Sequence, residues 1–192
     1  MYILLFMGEK RSDTKEKILS SALKLFSKKG FKETTIKDIA KEVGITEGAI
    51  YRHFTSKEEI IKSLLESITK ELRHKLEVAL QRGETDEEIL ESIVDTLIDY
   101  AFSNPESFRF LNLYHLLKEY GEVKNLPGEL ILKFLNGLYL KRKLKTYPEI
   151  ALAVVTGSVE RVFIFKERNF LDYDEETIKK ELKKVLKSAI LA

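Results

Sequence analysis

The chemistry open to this chain is limited first by what it lacks. Its 192 residues include no cysteine and three histidines, His53, His74 and His115. Disulfides, thiolate nucleophiles and cysteine-ligated zinc are therefore excluded. The histidines are dispersed along helical stretches, which leaves no base poised beside a nucleophile. The many carboxylates fall at helix starts and on solvated faces. No catalytic set, metal site or cofactor is read from these residues, and a small all-helical enzyme remains only the rival reading.

The run that does point to a task is Thr-Ile-Lys-Asp-Ile-Ala-Lys-Glu-Val-Gly-Ile-Thr-Glu-Gly-Ala-Ile-Tyr-Arg-His-Phe, from Thr35 to Phe54. It reads as two short capped helices joined by a tight turn at Gly44. Ile39, Ala40, Ile45, Ile50 and Phe54 supply their shared core, and small Ala40 lets the second helix approach closely. Such a pair presents its second helix as a rigid rod able to enter the major groove. The helix starts offer free N–H groups and positive dipole ends, which suit phosphates.

The elements around that run are read from periodicity. A chain of this length can bury a real core. Its formal net charge is +2, yet residues 1–60 hold 12 Lys+Arg against 9 Asp+Glu while the remainder holds 21 against 22. A small basic excess thus sits where the helix pair lies. No apolar run approaches the ~20 residues that cross a bilayer. The apolar Tyr2–Phe6 has neither a basic lead nor a cleavage site, so it is not read as a signal peptide. Residues 1–11 are expected to form a flexible arm, with translation starting at Met7, in a cytoplasmic protein.

Helical spacing dominates throughout and no strand alternation is convincing, so the fold class is all-α. The first helix is expected after Asp13, with Glu16 completing a capping box, and to stop at Gly30. The second starts at Thr35 with Asp38 in the box position, the third at Thr46, and the fourth at Ser56 with Glu59, running to about Gln81. Further helices are expected from Asp86 to about Ser103 and from Pro105 to near Gly121. An interrupted helix follows from about Pro127 to Lys143, then one from Pro148 to about Lys166 and a last one capped by Asp174. The domains are set at 12–57, extending into the fourth helix to about 72, and 58–192.

At this point the first 60 or so residues resemble the DNA-binding domain of TetR-family repressors. The likeness covers the alanine-containing first helix, Gly30-Phe31, Thr-Ile-Lys-Asp-Ile-Ala, Gly-Ile-Thr, Ala-Ile-Tyr-Arg-His-Phe and Ser-Lys-Glu-Glu-Ile. The resemblance implies a dimeric regulator with an all-helical effector-binding and dimerisation domain. It implies that Thr46, Tyr51, Arg52 and His53 face DNA, that Thr35 and Lys57 hold phosphates, and that Lys37 lies near the backbone. Glu47 departs from the basic residue often found there in the family, and is expected to accept from a cytosine amine or to turn aside. Gly48 costs helix stability, about 1 kcal/mol against alanine, and would permit close approach to the groove.

Residues 61–192 carry 13 of the 19 aromatic residues. So many large side chains among long helices suggest an apolar cavity. The residues taken to line it are Tyr100, Phe108, Leu111, Tyr114, Phe134 and Phe163, with His115 as a polar group. The expected ligand is hydrophobic: a fatty-acyl group, another lipid-like metabolite or a planar aromatic. The stretch Ile150–Phe165 is apolar around most of its circumference, so part of it is expected to meet a second copy of the chain. Val154, Gly157, Ser158 and Arg161, with Leu182, Val185 and Leu186 on the last helix, are assigned to that seam. Partners are therefore double-stranded operator DNA, a hydrophobic effector and a second copy, with no membrane. An architectural DNA-binding protein without an effector is the other alternative; it would need neither the second domain nor its aromatics.

Overall fold

In a computed structural model of the chain, residues 3–115 and 126–192 are described, with side chains from residue 13 to 114 and from 126 onward. Within these residues the chain forms α1 (Ile3–Lys29), α2 (Ile36–Val43), α3 (Glu47–Tyr51), α4 (Lys57–Ala79), α5 (Asp86–Ser103), α6 (Pro105–His115), α7 (Pro127–Leu140), α8 (Pro148–Glu167) and α9 (Glu175–Ile190). No strand occurs among them, only one isolated bridge between Leu144 and Leu191. No described helix is long and apolar enough to cross a membrane.

Local chemistry sets most of the helix ends. Pro105, Pro127 and Pro148 each occupy a first helical position, where the missing N–H has no intrahelical partner to lose. Thr85 caps α5 and forms a capping box with Glu88, one residue ahead of the expected Asp86. Asp174 accepts from the Thr177 N–H at the start of α9, as its spacing suggests. Two expectations change. The backbone is helical from Ile3 and runs on into α1, where a flexible arm is expected from the sequence. The expected interruption in 127–143 is absent, because Gly137 lies within a continuous α7.

The chain divides into two compact units. The first comprises residues up to Ile68 together with α6 from Glu106, and the second comprises Thr69–Pro105 and the described residues from 126 onward. The division inside α4 lies near the expected limit of about 72, but α6 was expected in the second domain. Its place in the first has a direct cause. Phe110 is fully buried, with its ring 6.2 Å from Phe26 and 5.1 Å from Phe31. Ile18, Ala22, Ile39, Ile50, Phe54, Ile60 and Ile61 complete the interior of this unit. The second unit is built on Leu72, Leu76, Ile93, Val94, Tyr100, Leu135, Val155, Val159 and Phe163, all buried.

Candidate nucleic-acid interface

The helix pair is assembled from local hydrogen bonds. Thr35 is extended, and its hydroxyl accepts from the Asp38 N–H at 3.1 Å. The Asp38 carboxylate in turn accepts from the Thr35 N–H at 3.0 Å and from its hydroxyl at 2.8 Å. These bonds, the backbone one first, hold the Asp38 carboxyl below its ordinary range. α2 ends at Gly44, where φ is +79°, a left-handed conformation that glycine adopts without a Cβ penalty. Its N–H and that of Ile45 both reach the Ala40 carbonyl, at 2.9 and 3.0 Å.

α3 then starts at Thr46, whose hydroxyl accepts from the Ala49 N–H at 3.2 Å. One face of the short helix is anchored by Ile50, and Phe54 beyond its end is equally buried. The other face is open. Tyr51 is 53% exposed, Glu47, Gly48 and Arg52 are exposed, and His53 is half-buried. A Cβ added at Gly48 would meet only the Thr46 hydroxyl, at 3.9 Å, so no internal packing demands glycine there. Lys37 is exposed on α2.

Two side chains expected at phosphates have internal partners. The Thr35 hydroxyl is engaged with Asp38. Lys57 is half-buried, and its ammonium donates to the carbonyl oxygens of Phe31 at 2.9 Å and Thr34 at 3.1 Å. It therefore ties the start of α4 to the loop after α1, a role its sequence position does not reveal. The same loop is closed by the buried Thr34 hydroxyl, which donates to the Gly30 carbonyl at 2.8 Å. Also unforeseen is the pair of Lys24 with Glu42 at 2.7 Å, joining α1 to α2. Their mutual hydrogen bond raises the Lys24 ammonium and lowers the Glu42 carboxyl. Lys15 lies over the Phe54 ring, 5.4 Å from its centre.

The residues assigned to an effector cavity do not fall in one unit. Tyr100, Phe134 and Phe163 belong to the second, and Phe108, Leu111 and Tyr114 to the first. All are buried except half-buried Phe134; the His115 side chain lies outside the described residues. Of the seam residues, Gly157, Arg161 and Val185 are exposed and Val154, Ser158 and Leu182 half-buried, but Leu186 is buried within its own chain. It shares the stripe of Ile178 and Ile190, which faces inward. Glu71 and His74 form a Glu-x-x-His pair on α4, yet no group of three metal-ligating side chains occurs among the described residues.

Residues 18–64 match the family model described as bacterial regulatory proteins, tetR family. The chain is 32% identical over 117 residues to the nucleoid occlusion factor SlmA of Haemophilus ducreyi, a match covering 61% of this chain and 56% of that protein. The chain thus spans little more than half the length of that relative. Among solved structures it shares the fold of a TetR family transcription regulator from Marinobacter aquaeolei VT8, with a TM-score of 0.81 at 16% identity over 95% of this chain and 98% of the other. It also shares the fold of the transcriptional regulator FadR from Bacillus subtilis in complex with stearoyl-CoA, with a TM-score of 0.65 at 16% identity over 89% and 96% of the two chains.

Proposed function

Because the chain belongs to the TetR family, we propose that it is a transcriptional repressor, acting in the cytoplasm as a dimer on a palindromic operator and released by a hydrophobic small molecule. The observation that carries the DNA reading is the two-sided α3: fully buried Ile50 roots it, while Tyr51, 53% exposed, and Arg52 stand outward. A helix held on one side and polar on the other is what major-groove docking requires. Thr46, Glu47, Gly48 and His53 complete the proposed base-facing set, and Lys37 approaches the backbone. Selection of operator DNA from random sequence tests this. A palindrome with half-sites on one face of the duplex is expected; recovery without any sequence preference would reject it.

The dimer reading rests on α8 and α9. Ile150 is 51% and Val185 59% exposed, and a Cβ at Gly157 would meet nothing within 4 Å. Such an apolar face with a close-approach glycine suits a second copy in a four-helix seam.

The effector reading is supported by the large aromatics and by the likeness to a FadR that was solved with stearoyl-CoA. An acyl chain or planar aromatic matches apolar walls, whereas a sugar would need buried polar partners. A 100-fold loss of operator affinity requires about 2.7 kcal/mol of coupling, and operator must weaken ligand binding equally. Thermal-shift screening of acyl compounds and aromatics, repeated with operator present, is the test. Hits equally stabilising in both conditions would separate binding from release. The likeness to SlmA favours a second reading, a nucleoid-associated role. Many dispersed chromosomal sites in place of one or two promoters would select it.

A further inference from the structure

α9 lies antiparallel to α5 and is held there by a ladder of ion pairs. Lys179 contacts Asp99, Lys183 contacts Asp95 at 2.9 Å, and Lys187 contacts Glu91. Each lysine follows the last by four residues, and so does each carboxylate in the opposite direction. The carboxylates continue one step further, to Glu87, and Lys187 already lies 3.7 Å from it. The apolar residues repeat with the same step: Ile178, Leu182, Leu186 and Ile190 on α9, and Leu90, Val94 and Ile98 on α5, all buried except half-buried Leu182.

Two surfaces with one shared period can be superposed in more than one register. If α9 advanced one turn toward its own end, about 6 Å at 1.5 Å per residue, Lys179 would face Asp95, Lys183 would face Glu91 and Lys187 would face Glu87. All three ammonium groups keep a carboxylate. Ile178 would take the place of Leu182, Leu182 that of Leu186, and Leu186 that of Ile190, exchanges of the volume-conserving kind that cores tolerate best. Only at the start of α9 does a polar residue, Asp174, follow into the place of Ile178. An advance in the other direction is different, because Lys179 would then meet Ser103 and lose its α5 partner.

What sets the register is not periodic. Beyond α9 the chain is clamped to the turn between α7 and α8. The Lys145 N–H donates to the Ile190 carbonyl at 2.9 Å, and the Ala192 N–H to the Lys143 carbonyl at 3.0 Å. The Lys145 ammonium donates to the Ser188 carbonyl at 2.8 Å. These bonds tie the last turn of α9 to the turn before α8, so the advance would have to break them. We propose that α9 has two registers on α5, one turn apart, and that the clamp between residues 143–145 and 188–192 selects the one seen. Opening the clamp would carry Leu182 and Val185 by one turn, a discrete shift of the kind by which packed helices switch state. The inference rests on the α5–α9 pair and the clamp, and stands whether or not α9 meets a second copy.

The absence of cysteine from the chain makes the test clean. Asp95→Cys with Lys183→Cys reports the register seen, and Glu91→Cys with Lys183→Cys reports the advanced one. Each pair is placed in the full chain and in a clamp variant, Lys145→Ala with Ala192→Pro, and disulfide formation under mild oxidant is timed. The proline removes one clamp donor, and Leu191 before it already has the extended backbone that a residue preceding proline prefers, at φ −87° and ψ 139°. The clamp variant should raise trapping of the advanced pair relative to the other by about tenfold, the change that loss of one or two ordinary hydrogen bonds permits. An unchanged ratio, or an equal rise in both pairs from general loosening, overturns the proposal. Should the clamp variant fail to fold, Glu87→Gln in the otherwise intact chain must lower trapping of the advanced pair; no effect there overturns it equally.

Discussion

The rings of Phe31 and Phe110 meet edge-on, with centroids 5.1 Å apart and planes at 77°. The contact joins the loop after α1 to α6, and Phe26 closes the cluster behind it. Phe110→Ala should therefore destabilise the first unit by about 3–5 kcal/mol, the range for a buried phenylalanine. Denaturant unfolding measures this, and a loss under 1 kcal/mol would show that α6 is not held there by that ring.

Tyr51→Ala should behave in the opposite way. The side chain is half exposed and supports no core, so stability should change little while specific DNA affinity falls by about 1–3 kcal/mol. Unaltered operator binding would move the DNA face off α3.

Lys57→Met separates two roles. Removing an ammonium bonded to the Phe31 and Thr34 carbonyls should cost about 1–2 kcal/mol of stability. The slope of log affinity against log salt should change by well under one unit. A full unit would mean that the ammonium engages a phosphate as well.

Acid should act through the helix starts. The carboxyls of Asp38, Glu59, Glu88 and Asp174 are each held below their ordinary range by hydrogen bonds from the residues they cap or box: from Thr35, Thr55, Glu84 with Thr85, and Thr177 respectively. A carboxyl lowered on folding contributes stability above its unfolded value, about pH 4, and loses it as pH falls through the folded value. Urea midpoints should be flat from about pH 6 to 8 and fall below about pH 4, and amide variants of all four should blunt that fall. An equally steep fall in the amide variants would place the acid sensitivity elsewhere.

Gly157→Trp tests the seam. Nothing within 4 Å opposes a side chain there in the single chain, so the variant should remain folded yet sediment as a monomer. A variant that stays dimeric would remove α8 from the interface.

What was legible in the residues was what is decided within one helical turn. The Thr35–Asp38 box, the Gly44 stop and the Thr46 start follow from neighbours three or four apart, and the structure has all of them. Where two adjacent residues can both cap, as Thr85 and Asp86 can, spacing does not choose between them. Side chains that act across the fold were not legible: the destination of Lys57 lies 26 residues back, and α6 meets the first unit through rings far apart in sequence, Phe110 against Phe26 and Phe31. Leu186 was misplaced by a single position on a helix face, since Val185 beside it points outward.

The Phe26–Phe31–Phe110 cluster also bears on how such proteins can be recombined. A chimera that joins this DNA-binding head to a foreign body at residue 57 or 72 would leave Phe110 behind and open Phe26 and Phe31 to water. The transplantable part is discontinuous: it consists of the segment up to Ile68 together with α6, and a designer must graft both pieces or redesign the rings that greet each other.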